Sequence, residues 1–317
     1  MIKEKIELLP AAQAIMHFIS RLPENHPQRP YLENQLHRKT AGERGEERMQ
    51  KKFIEFRPDC KFTVLWNIGL KMEGWITQFD GIVITEKGII ILDSKNVSDD
   101  LHFNNETDEF IRLNSKGERL ILENPVYQLN KNILFLTEWF EERNLPLPVK
   151  GLIIYTSANC MFQSKPTGAP VCKTYQMNGY LYEILRSFPS DTAPLNINKI
   201  RKLIEKNHTP YRRKPLCQTY FINSAELRRG VLCPECKDYL MVRDKRSWIC
   251  HDCQYKDATA HHLALQEYLT FIDTSITNKD FRSFCLLDSP AAARRILVQY
   301  DFFISGDHKS RQYRIKE

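Results

Sequence analysis

Residues 76–96 read ITQFDGIVITEKGIIILDSKN, in which two apolar runs flank the sequence Thr85-Glu86-Lys87-Gly88. Each run has the length and the β-branched composition of a strand. A short polar segment that ends in glycine is typical of a tight turn. This stretch therefore predicts an antiparallel hairpin.

The predicted hairpin brings four polar side chains together. If its turn holds two or four residues, Asp80 lies opposite Asp93, and Gln78 lies opposite Lys95. Because side chains alternate between the faces of a sheet, all four then emerge on one side. A turn of odd length would instead place the two aspartates on opposite faces.

Two opposed carboxylates favour a cation between them. Their Cβ atoms are about 4.5 to 5.5 Å apart, a distance at which like charges are destabilising. Mg²⁺ or Mn²⁺ prefers such oxygen ligands and can hold a water and a phosphate oxygen together, while a lysine orients the water. Asp80, Asp93 and Lys95 thus indicate either a divalent-metal site or a structural arrangement. In the latter, one aspartate is exposed at a frayed strand end or forms a salt bridge with Lys95.

A helix is predicted before the hairpin, over about residues 45–56. Met49, Phe53 and Phe56 form its apolar stripe, and Glu46 borders that stripe. A carboxylate beside a buried face is a candidate site residue. The alternative is a first-turn glutamate that the helix dipole stabilises.

The order of predicted elements indicates an α/β fold. Strands are expected over about residues 61–70, 75–84, 88–96 and 149–156. A second helix begins at Asn124-Pro125, where asparagine caps the helix and proline occupies its first position. With the helix that starts near residue 45, this gives an α-β-β-β-α-β core.

Composition favours a folded protein of the cytoplasm. The chain has 317 residues, of which 42% are hydrophobic and 27% charged, enough for one or two domains with a sizeable core. No apolar run approaches the roughly 18 residues of a membrane helix, and the first five residues mix charges unlike a signal peptide. We therefore expect a cytoplasmic protein without a membrane partner.

The positive charge is concentrated in the C-terminal part. Residues 1–200 carry 25 basic and 25 acidic residues, whereas residues 201–317 carry 21 and 14, so the whole net charge of +7 lies there. This asymmetry indicates either a part that binds a polyanion or a basic surface that aids solubility.

Four of the nine cysteines have the spacing of a metal site. Cys233 and Cys236 form one CxxC turn, and Cys250 and Cys253 form a second. Two such turns supply four thiolates to one tetrahedral ion, so we predict a small zinc ribbon with one structural Zn²⁺. An odd number of cysteines without an export signal argues against a disulfide framework.

The residues beyond the ribbon predict a winged-helix-like region. Helices are expected near residues 261–272, 277–285 and 289–300, followed by a hairpin over 302–315. Basic side chains of the third helix and of the hairpin could contact nucleic acid: Arg294, Arg295, Lys309, Arg311 and Arg314. The alternative is a small helical bundle that packs on the preceding domain.

Four ordered motifs resemble the nuclease-related domain (NERD) family, over about residues 38–158. They are Gly42-Glu43-Arg44-Gly45-Glu46, Thr77-Gln78-Phe79-Asp80-Gly81, Asp93-Ser94-Lys95-Asn96 and Asn124-Pro125-Val126-Tyr127-Gln128. The family is considered related to the PD-(D/E)xK nucleases, whose core has the same element order. One departure is Asp93, where the family more often has glutamate.

The resemblance implies metal-dependent hydrolysis of phosphodiester bonds by an endonuclease. Asp80 and Asp93 would bind Mg²⁺ or Mn²⁺, Glu46 would hold a metal-bound water or a second ion, and Lys95 would position the nucleophilic water. Gln128 matches the glutamine of the second helix. Nucleic acid, and DNA in particular, is the implied partner.

Together these features predict three regions. A nuclease-like domain with a helical lead-in spans residues 1–207, a basic linker and zinc ribbon span 208–258, and the winged-helix-like region spans 259–317. The predicted function is a metal-dependent nuclease. The alternative is a non-catalytic nucleic-acid-binding or regulatory protein that uses the same domains.

Overall fold

The computed structural model describes residues 3–114, 116–189, 193–210, 213–237, 239–307 and 310–316. Lys309, predicted to contact nucleic acid, lies outside these residues. The chain divides into two compact units. We call residues 40–212 the nuclease-like unit, and residues 1–39 together with 213–317 the ribbon unit.

The secondary-structure elements follow the predicted order closely. The helices are α1 (Ala11–Arg21), α2 (Arg29–Phe53), α3 (Pro125–Glu141), α4 (Met177–Arg186), α5 (Ile197–Lys206), α6 (Leu216–Tyr220), α7 (His261–Phe271), α8 (Asn278–Cys285) and α9 (Pro290–Leu297). The strands are β1 (Phe62–Met72), β2 (Trp75–Thr85), β3 (Ile89–Lys95), β4 (Asp99–Asn104), β5 (Glu109–Leu113), β6 (Arg119–Leu122), β7 (Val149–Tyr155), β8 (Cys160–Phe162), β9 (Val171–Lys173), β10 (Val231–Leu232), β11 (Leu240–Asp244), β12 (Ser247–Cys250), β13 (Lys256–Asp257), β14 (Ser275–Thr277), β15 (Phe302–Ser305) and β16 (Gln312–Ile315).

The central sheet of the nuclease-like unit has the order β1-β2-β3-β7-β9. β1, β2 and β3 are antiparallel neighbours, whereas β7 runs parallel to β3 and β9 runs parallel to β7. A parallel pair needs a crossover, which α3 supplies between β3 and β7. Asn124 caps α3 by accepting a hydrogen bond of 3.0 Å from the backbone N–H of Val126. The predicted α-β-β-β-α-β core is confirmed.

Helices cover both faces of this sheet. On one face, Ile91 and Ile153 pack with Leu129 and Phe135 of α3. On the other face, Leu92 packs with side chains of α2 and α4. Both faces of the central strands are therefore buried, which explains their nearly continuous runs of Ile, Leu and Val.

A second, smaller sheet has the order β6-β5-β4-β8, in which β4, β5 and β6 are inserted between β3 and α3 and β8 follows β7. Phe103 and Phe110 stack across β4 and β5, with ring centroids 4.4 Å apart. Both rings belong to the same buried cluster as the α3 side of the central sheet. The insertion is thus packed against the core of this unit.

α2 begins sixteen residues before the predicted start at residue 45, at Arg29. The N-terminal half of α2 is polar and the helix contains Gly42 and Gly45, so it gives little periodic or propensity signal. Glu46 consequently lies inside the helix. Its explanation as a first-turn residue stabilised by the helix dipole is wrong.

The ribbon unit contains two small sheets. β10, β11, β12 and β13 form an antiparallel sheet around the predicted cysteine pairs. In the C-terminal part the elements follow the order α7-β14-α8-α9-β15-β16, with a sheet of order β14-β16-β15. Helices and hairpin are those expected for a winged-helix-like region.

The compact units differ from the predicted domain boundaries. Phe18 of α1 packs with Leu216, Leu227 and Phe271, so the N-terminal residues belong to the ribbon unit rather than to the nuclease-like unit. The predicted ribbon and winged-helix-like regions also share one buried cluster, which includes Trp248 and Phe281. Each segment is too small to bury its apolar residues alone, and packing together solves this.

A buried ion pair fixes α1 within the ribbon unit. Arg21 and Glu267 are each 1% exposed and are in direct contact. The Nε of Arg21 donates to Glu267 Oε2 at 2.9 Å, and its Nη1 donates to the carbonyl of Arg228 at 2.7 Å. The guanidinium also lies 4.6 Å from the ring centre of Phe284.

None of the described helices has the length and apolar character needed to cross a membrane.

Candidate active site and metal centre

The predicted register of the hairpin is confirmed. Ile84 pairs with Ile89 and Gly81 with Leu92, the register in which Asp80 and Asp93 are the next opposed positions. The Thr85 backbone N–H donates to the Gly88 carbonyl at 3.0 Å and closes the turn. The regular ladder between β2 and β3 ends just before the two aspartates, so the strands separate where the candidate site begins.

Where the strands separate, the Asp80 side chain, rather than the backbone of β2, bonds to the end of β3. Its Oδ2 accepts hydrogen bonds from the backbone N–H and from the hydroxyl of Ser94, at 2.8 and 2.9 Å. Both bonds hold the carboxylate beside the end of β3. Ser94 is therefore a supporting residue of the site that the sequence analysis did not identify.

Gln78 does not join the cluster, contrary to the prediction. Phe79 packs with Ile82 and Ile84 on the α3 side of the sheet, so side-chain alternation in β2 changes between Phe79 and Ile82. Opposite this point, Asn67 of β1 has a positive φ of 54°. The Gln78 amide consequently bonds to Asn67 and is exposed.

Lys95 connects Asp93 to the second helix. Its ammonium lies 2.8 Å from Asp93 Oδ2 and donates to Asp93 Oδ1 at 3.1 Å. It also donates to the side-chain oxygen of Gln128 at 2.8 Å. The Asp93–Lys95 salt bridge left open as an alternative is present. The exposed, frayed aspartate is excluded for Asp93, which is 6% exposed.

Burial makes Asp93 an unusual carboxyl group. Desolvation raises its pKa to about 6, the negative charge of Asp80 adds to the rise, and the Lys95 ammonium opposes it. Asp93 Oδ2 is buried, and no described residue donates a well-aligned hydrogen bond to it, although the Lys95 ammonium lies 2.8 Å away. A buried carboxylate oxygen with spare lone pairs, near a second carboxylate, suits a hard divalent cation.

Glu46 reaches this end of the sheet because α2 packs closely against it. A Cβ at Gly45 would lie 2.5 Å from Thr156 Oγ1 and 3.0 Å from Asn96 Cβ, so only glycine permits this approach. Arg48 donates to the Thr156 carbonyl at 2.7 Å. Thr156 follows β7 and Asn96 follows β3, which places the Glu46 segment beside the ends of both strands.

The predicted carboxylates do not form a closed set of metal ligands. Among the described residues, one group of three or more His, Cys, Asp or Glu side chains lies close enough together to hold an ion. That group is the four predicted zinc cysteines. Asp80 is bonded to Ser94, and Asp93 is paired with Lys95. Binding of a divalent cation would therefore require the Lys95 ammonium to leave Asp93.

A cavity of about 110 Å³ opens beside Lys95 and Gln128. Tyr155, which pairs with Lys95 across β7 and β3, lines it and is 1% exposed. Burial raises the pKa of the Tyr155 phenol, and the nearby Cys160 and Asp93 raise it further. Neither Tyr155 nor Glu123, another lining residue, was predicted, because both lie in segments whose local patterns show only a strand and a loop.

The four cysteines lie together, as predicted. Their sulfur atoms are all within 4.8 Å of one another, with Cys233 and Cys253 3.7 Å apart and Cys236 and Cys250 3.9 Å apart. In a tetrahedral site with metal–sulfur bonds of about 2.3 Å, the sulfur atoms are about 3.8 Å apart. This cluster has the donor set and the spacing for one metal ion.

The two CxxC turns have matching backbone geometry. The N–H of Lys237 donates to the carbonyl of Cys233 at 2.8 Å, and the N–H of Gln254 donates to that of Cys250 at 3.0 Å. Lys237 and Gln254 have positive φ values of 60° and 61°. Backbone N–H groups, above all that of Cys253, lower the pKa of the Cys250 thiol to about 7, whereas the Cys253 side chain raises the pKa of the Cys236 thiol and burial raises that of Cys233.

Comparisons with known proteins agree with part of this picture. Residues 41–156 match the family model of the nuclease-related domain. A search of curated protein sequences gives no match. A search of solved structures finds the small subunit of the heterodimeric restriction endonuclease R.BspD6I, at 14% identity and a TM-score of 0.20, over 61% of this chain and 87% of that chain. A likeness at that TM-score supports no conclusion about this chain.

The match to the family model covers both edges of the candidate site. It begins at Ala41, in the α2 segment that packs on Asn96, and ends at Thr156, directly after β7. Asp80, Asp93, Lys95 and the helix residue Gln128 all lie within it. The chain therefore carries a nuclease-related domain at residues 41–156.

Proposed function

We propose that this protein is a metal-dependent nuclease that hydrolyses phosphodiester bonds in DNA. The observation that carries the proposal is the Asp93–Lys95 pair at the end of β3, with Asp80 beside it on β2. Two carboxylates and an ammonium within a nuclease-related domain provide the charges that phosphodiester hydrolysis requires. Burial of Asp93 strengthens the interactions of its charge, because they act in a medium of low dielectric constant.

Each side chain has a distinct task in this proposal. Asp80 and Asp93 would hold Mg²⁺ or Mn²⁺, which when bound supplies a Lewis acid and a water of lowered pKa. Lys95 would turn from Asp93 toward the phosphate and offset its developing negative charge. Gln128 accepts a hydrogen bond from Lys95 and would guide this ammonium. Glu46, beside the strand ends, would hold a metal-bound water or a second ion.

The ribbon unit would bind rather than cut. We propose that Cys233, Cys236, Cys250 and Cys253 hold one structural Zn²⁺, since four thiolates leave no open position for catalysis. The basic excess of residues 201–317 supports nucleic acid as its partner. Arg294 and Arg295, both exposed on α9, would contact phosphates.

A second function is a nucleic-acid-binding protein that does not cut. It is favoured by the absence of a ready ligand set among Glu46, Asp80 and Asp93, all of which are described residues. In that case the Asp93–Lys95 ion pair would persist as a structural contact. The two functions differ in whether a divalent cation displaces Lys95.

Plasmid cleavage with Mg²⁺ or Mn²⁺ tests the proposal. The wild-type protein should convert supercoiled DNA to nicked or linear forms, and EDTA should stop the reaction. Asp93→Asn and Lys95→Met should each reduce the rate by about a hundredfold or more, the size of losses when a charged group that stabilises the transition state is removed.

Lys87→Met is the matched control for Lys95→Met. Lys87 is exposed at the turn of the same hairpin, at the end opposite the site. The Lys87→Met protein should cut DNA at the wild-type rate. DNA binding without cutting, with every metal tried and with a zinc-loaded protein, would reject the nuclease and favour the second function.

A further inference from the structure

The cavity beside Lys95 has apolar walls and a polar end. Phe110 of β5, Leu122 of β6 and Pro125 of α3 form the apolar part. The polar and charged lining residues are Lys95, Gln128 and Glu123, of which Lys95 and Gln128 are bonded to each other at 2.8 Å. All these residues belong to the nuclease-like unit.

Tyr155 adds an unsatisfied polar group to this cavity. It lines the cavity, and its hydroxyl is buried without a hydrogen-bond partner among the described residues. A buried hydroxyl without a partner is uncommon in folded proteins, and such groups often mark functional positions. The hydroxyl is sealed from solvent in the free protein, so a ligand in the cavity would bond to it only when the side chains around it moved aside.

Size and chemistry limit what can occupy the cavity. A volume of about 110 Å³ holds three or four waters at about 30 Å³ each, or one flat ring with the size of a nucleobase. A sugar or phosphate would lose hydration against the apolar walls of Phe110 and Leu122. A nucleobase suits both parts, because its faces are apolar and its edges carry donors and acceptors.

We propose that this cavity takes one unpaired base of the nucleic acid, next to the phosphate held at Lys95. The inference rests on the proposed function, since it places the cleaved phosphate at the same lysine. A base within a duplex is stacked and paired and cannot enter such a pocket. The preferred substrate is therefore single-stranded or locally unpaired, and β5 and β6 supply part of the wall that selects it.

Binding to a labelled oligothymidylate tests this, with the zinc-loaded full chain and no added Mg²⁺, so that no cutting is needed. The comparison strand has the same length and charge but carries abasic sites throughout. We expect the wild-type protein to bind the strand with bases about tenfold more tightly, as one stacked base contributes. Leu122→Trp, which fills the cavity, should reduce this preference to about twofold or less.

Ile121→Trp is the matched control. Ile121 precedes Leu122 in β6, is 68% exposed and is not part of the cavity wall, so the preference for bases should remain. Tyr155→Phe removes only the hydroxyl and should reduce the preference several-fold. This conservative change decides the matter if Leu122→Trp does not fold.

The outcomes separate the inference from the proposed function. An unchanged preference in Leu122→Trp, or an equal loss in Ile121→Trp, would overturn the base-binding cavity. Equal wild-type affinity for both strands would overturn the cavity and leave the nuclease intact. A wild-type protein that binds neither strand would overturn the base-binding cavity, and plasmid cleavage with Mg²⁺ or Mn²⁺ decides the nuclease separately.

Discussion

At the residue scale, stability and function place opposite demands on Asp93. It is buried, its pKa is raised to about 6, and its nearest charge is a lysine that metal binding would displace. Ionising this buried carboxyl costs more free energy in the folded protein than in the unfolded chain, where water solvates the charge. A cation would offset that cost, so the site is expected to be less stable without metal than with it.

Asp93→Asn should stabilise the metal-free protein at pH 8. The amide keeps the shape of the side chain and accepts a hydrogen bond from Lys95, but it carries no buried charge. We expect the free energy of unfolding of the nuclease-like unit to rise by about 1–3 kcal/mol, while cutting is lost. Chemical denaturation in the absence of Mg²⁺ measures the change.

The pH dependence of this gain follows from the raised pKa. In the folded protein, Asp93 binds its proton more tightly than in the unfolded chain, where the pKa of its carboxyl is near 3.8. Wild-type stability should therefore increase as pH falls through about 6, and the advantage of Asp93→Asn should shrink there. Asp59→Asn, at an exposed loop position, should give no such gain. An Asp93→Asn protein less stable than wild type at pH 8 would contradict this account.

At the scale of single elements, α2 contains two glycines with opposite surroundings. Among the described residues, no atom beyond the chain neighbours and helix backbone of Gly42 lies within 4 Å of where its Cβ would be, whereas at Gly45 that position is 2.5 Å from Thr156 Oγ1. Both are inside the same helix, where alanine is intrinsically favoured by about 1 kcal/mol. The two positions therefore separate helix propensity from helix–sheet packing.

Gly42→Ala should stabilise the protein by about 0.5–1 kcal/mol, and Gly45→Ala should destabilise it by about 1–3 kcal/mol. The clash at residue 45 exceeds the gain in propensity because Thr156 and Asn96 are held by the ends of β7 and β3. We also expect Gly45→Ala to slow cutting, since it moves Glu46 away from the strand ends. Paired melting curves and cleavage rates test both changes, and equal effects at the two positions would refute the close packing.

At the scale of the whole molecule, the four-cysteine cluster is part of a larger core. Cys233 and Cys250 belong to the same buried cluster as Phe281 and Tyr313. The ribbon is too short to form a core of its own, so metal binding and folding should be coupled there. The effect of metal loss should therefore extend beyond the cysteine turns.

Removal of zinc with a strong chelator should loosen the ribbon unit and leave the nuclease-like unit folded. We expect amide hydrogen exchange to increase by at least tenfold over residues 231–257, and less over 261–315. Residues 62–95 should be unchanged. Uniform protection before and after chelation would show that the cysteines do not stabilise this unit through a metal.

Arg21→Met should destabilise the ribbon unit, including residues 213–317, which are far from Arg21 in sequence. The change leaves Glu267 buried without its cationic partner, a loss of about 3–5 kcal/mol for such pairs. Hydrogen exchange should rise over residues 216–297 and stay constant over 62–95. Arg38→Met, at an exposed position of α2, is the control and should change neither.

Much of the fold could be predicted because it depends on local signals. Asn124 and Pro125 mark the start of α3, the segment from Thr85 to Gly88 fixes the hairpin register, and the CxxC spacing brings four sulfur atoms together. Each signal depends on residues that are close in the chain, where backbone preferences and side-chain period decide the outcome. Asp93 and Lys95 are two residues apart in β3, so their side chains emerge on the same face of the sheet whatever the register.

Tertiary structure alone decided the features that depend on distant residues. Arg21 assigns the first helix to the ribbon unit through Glu267, and Tyr155 lines the cavity beside Lys95 because β7 pairs with β3. Gln78 turns away from the site because of Asn67 on the neighbouring strand. Such contacts form only when elements far apart in sequence pack together. The periodicity of a single segment does not identify the distant element against which it packs.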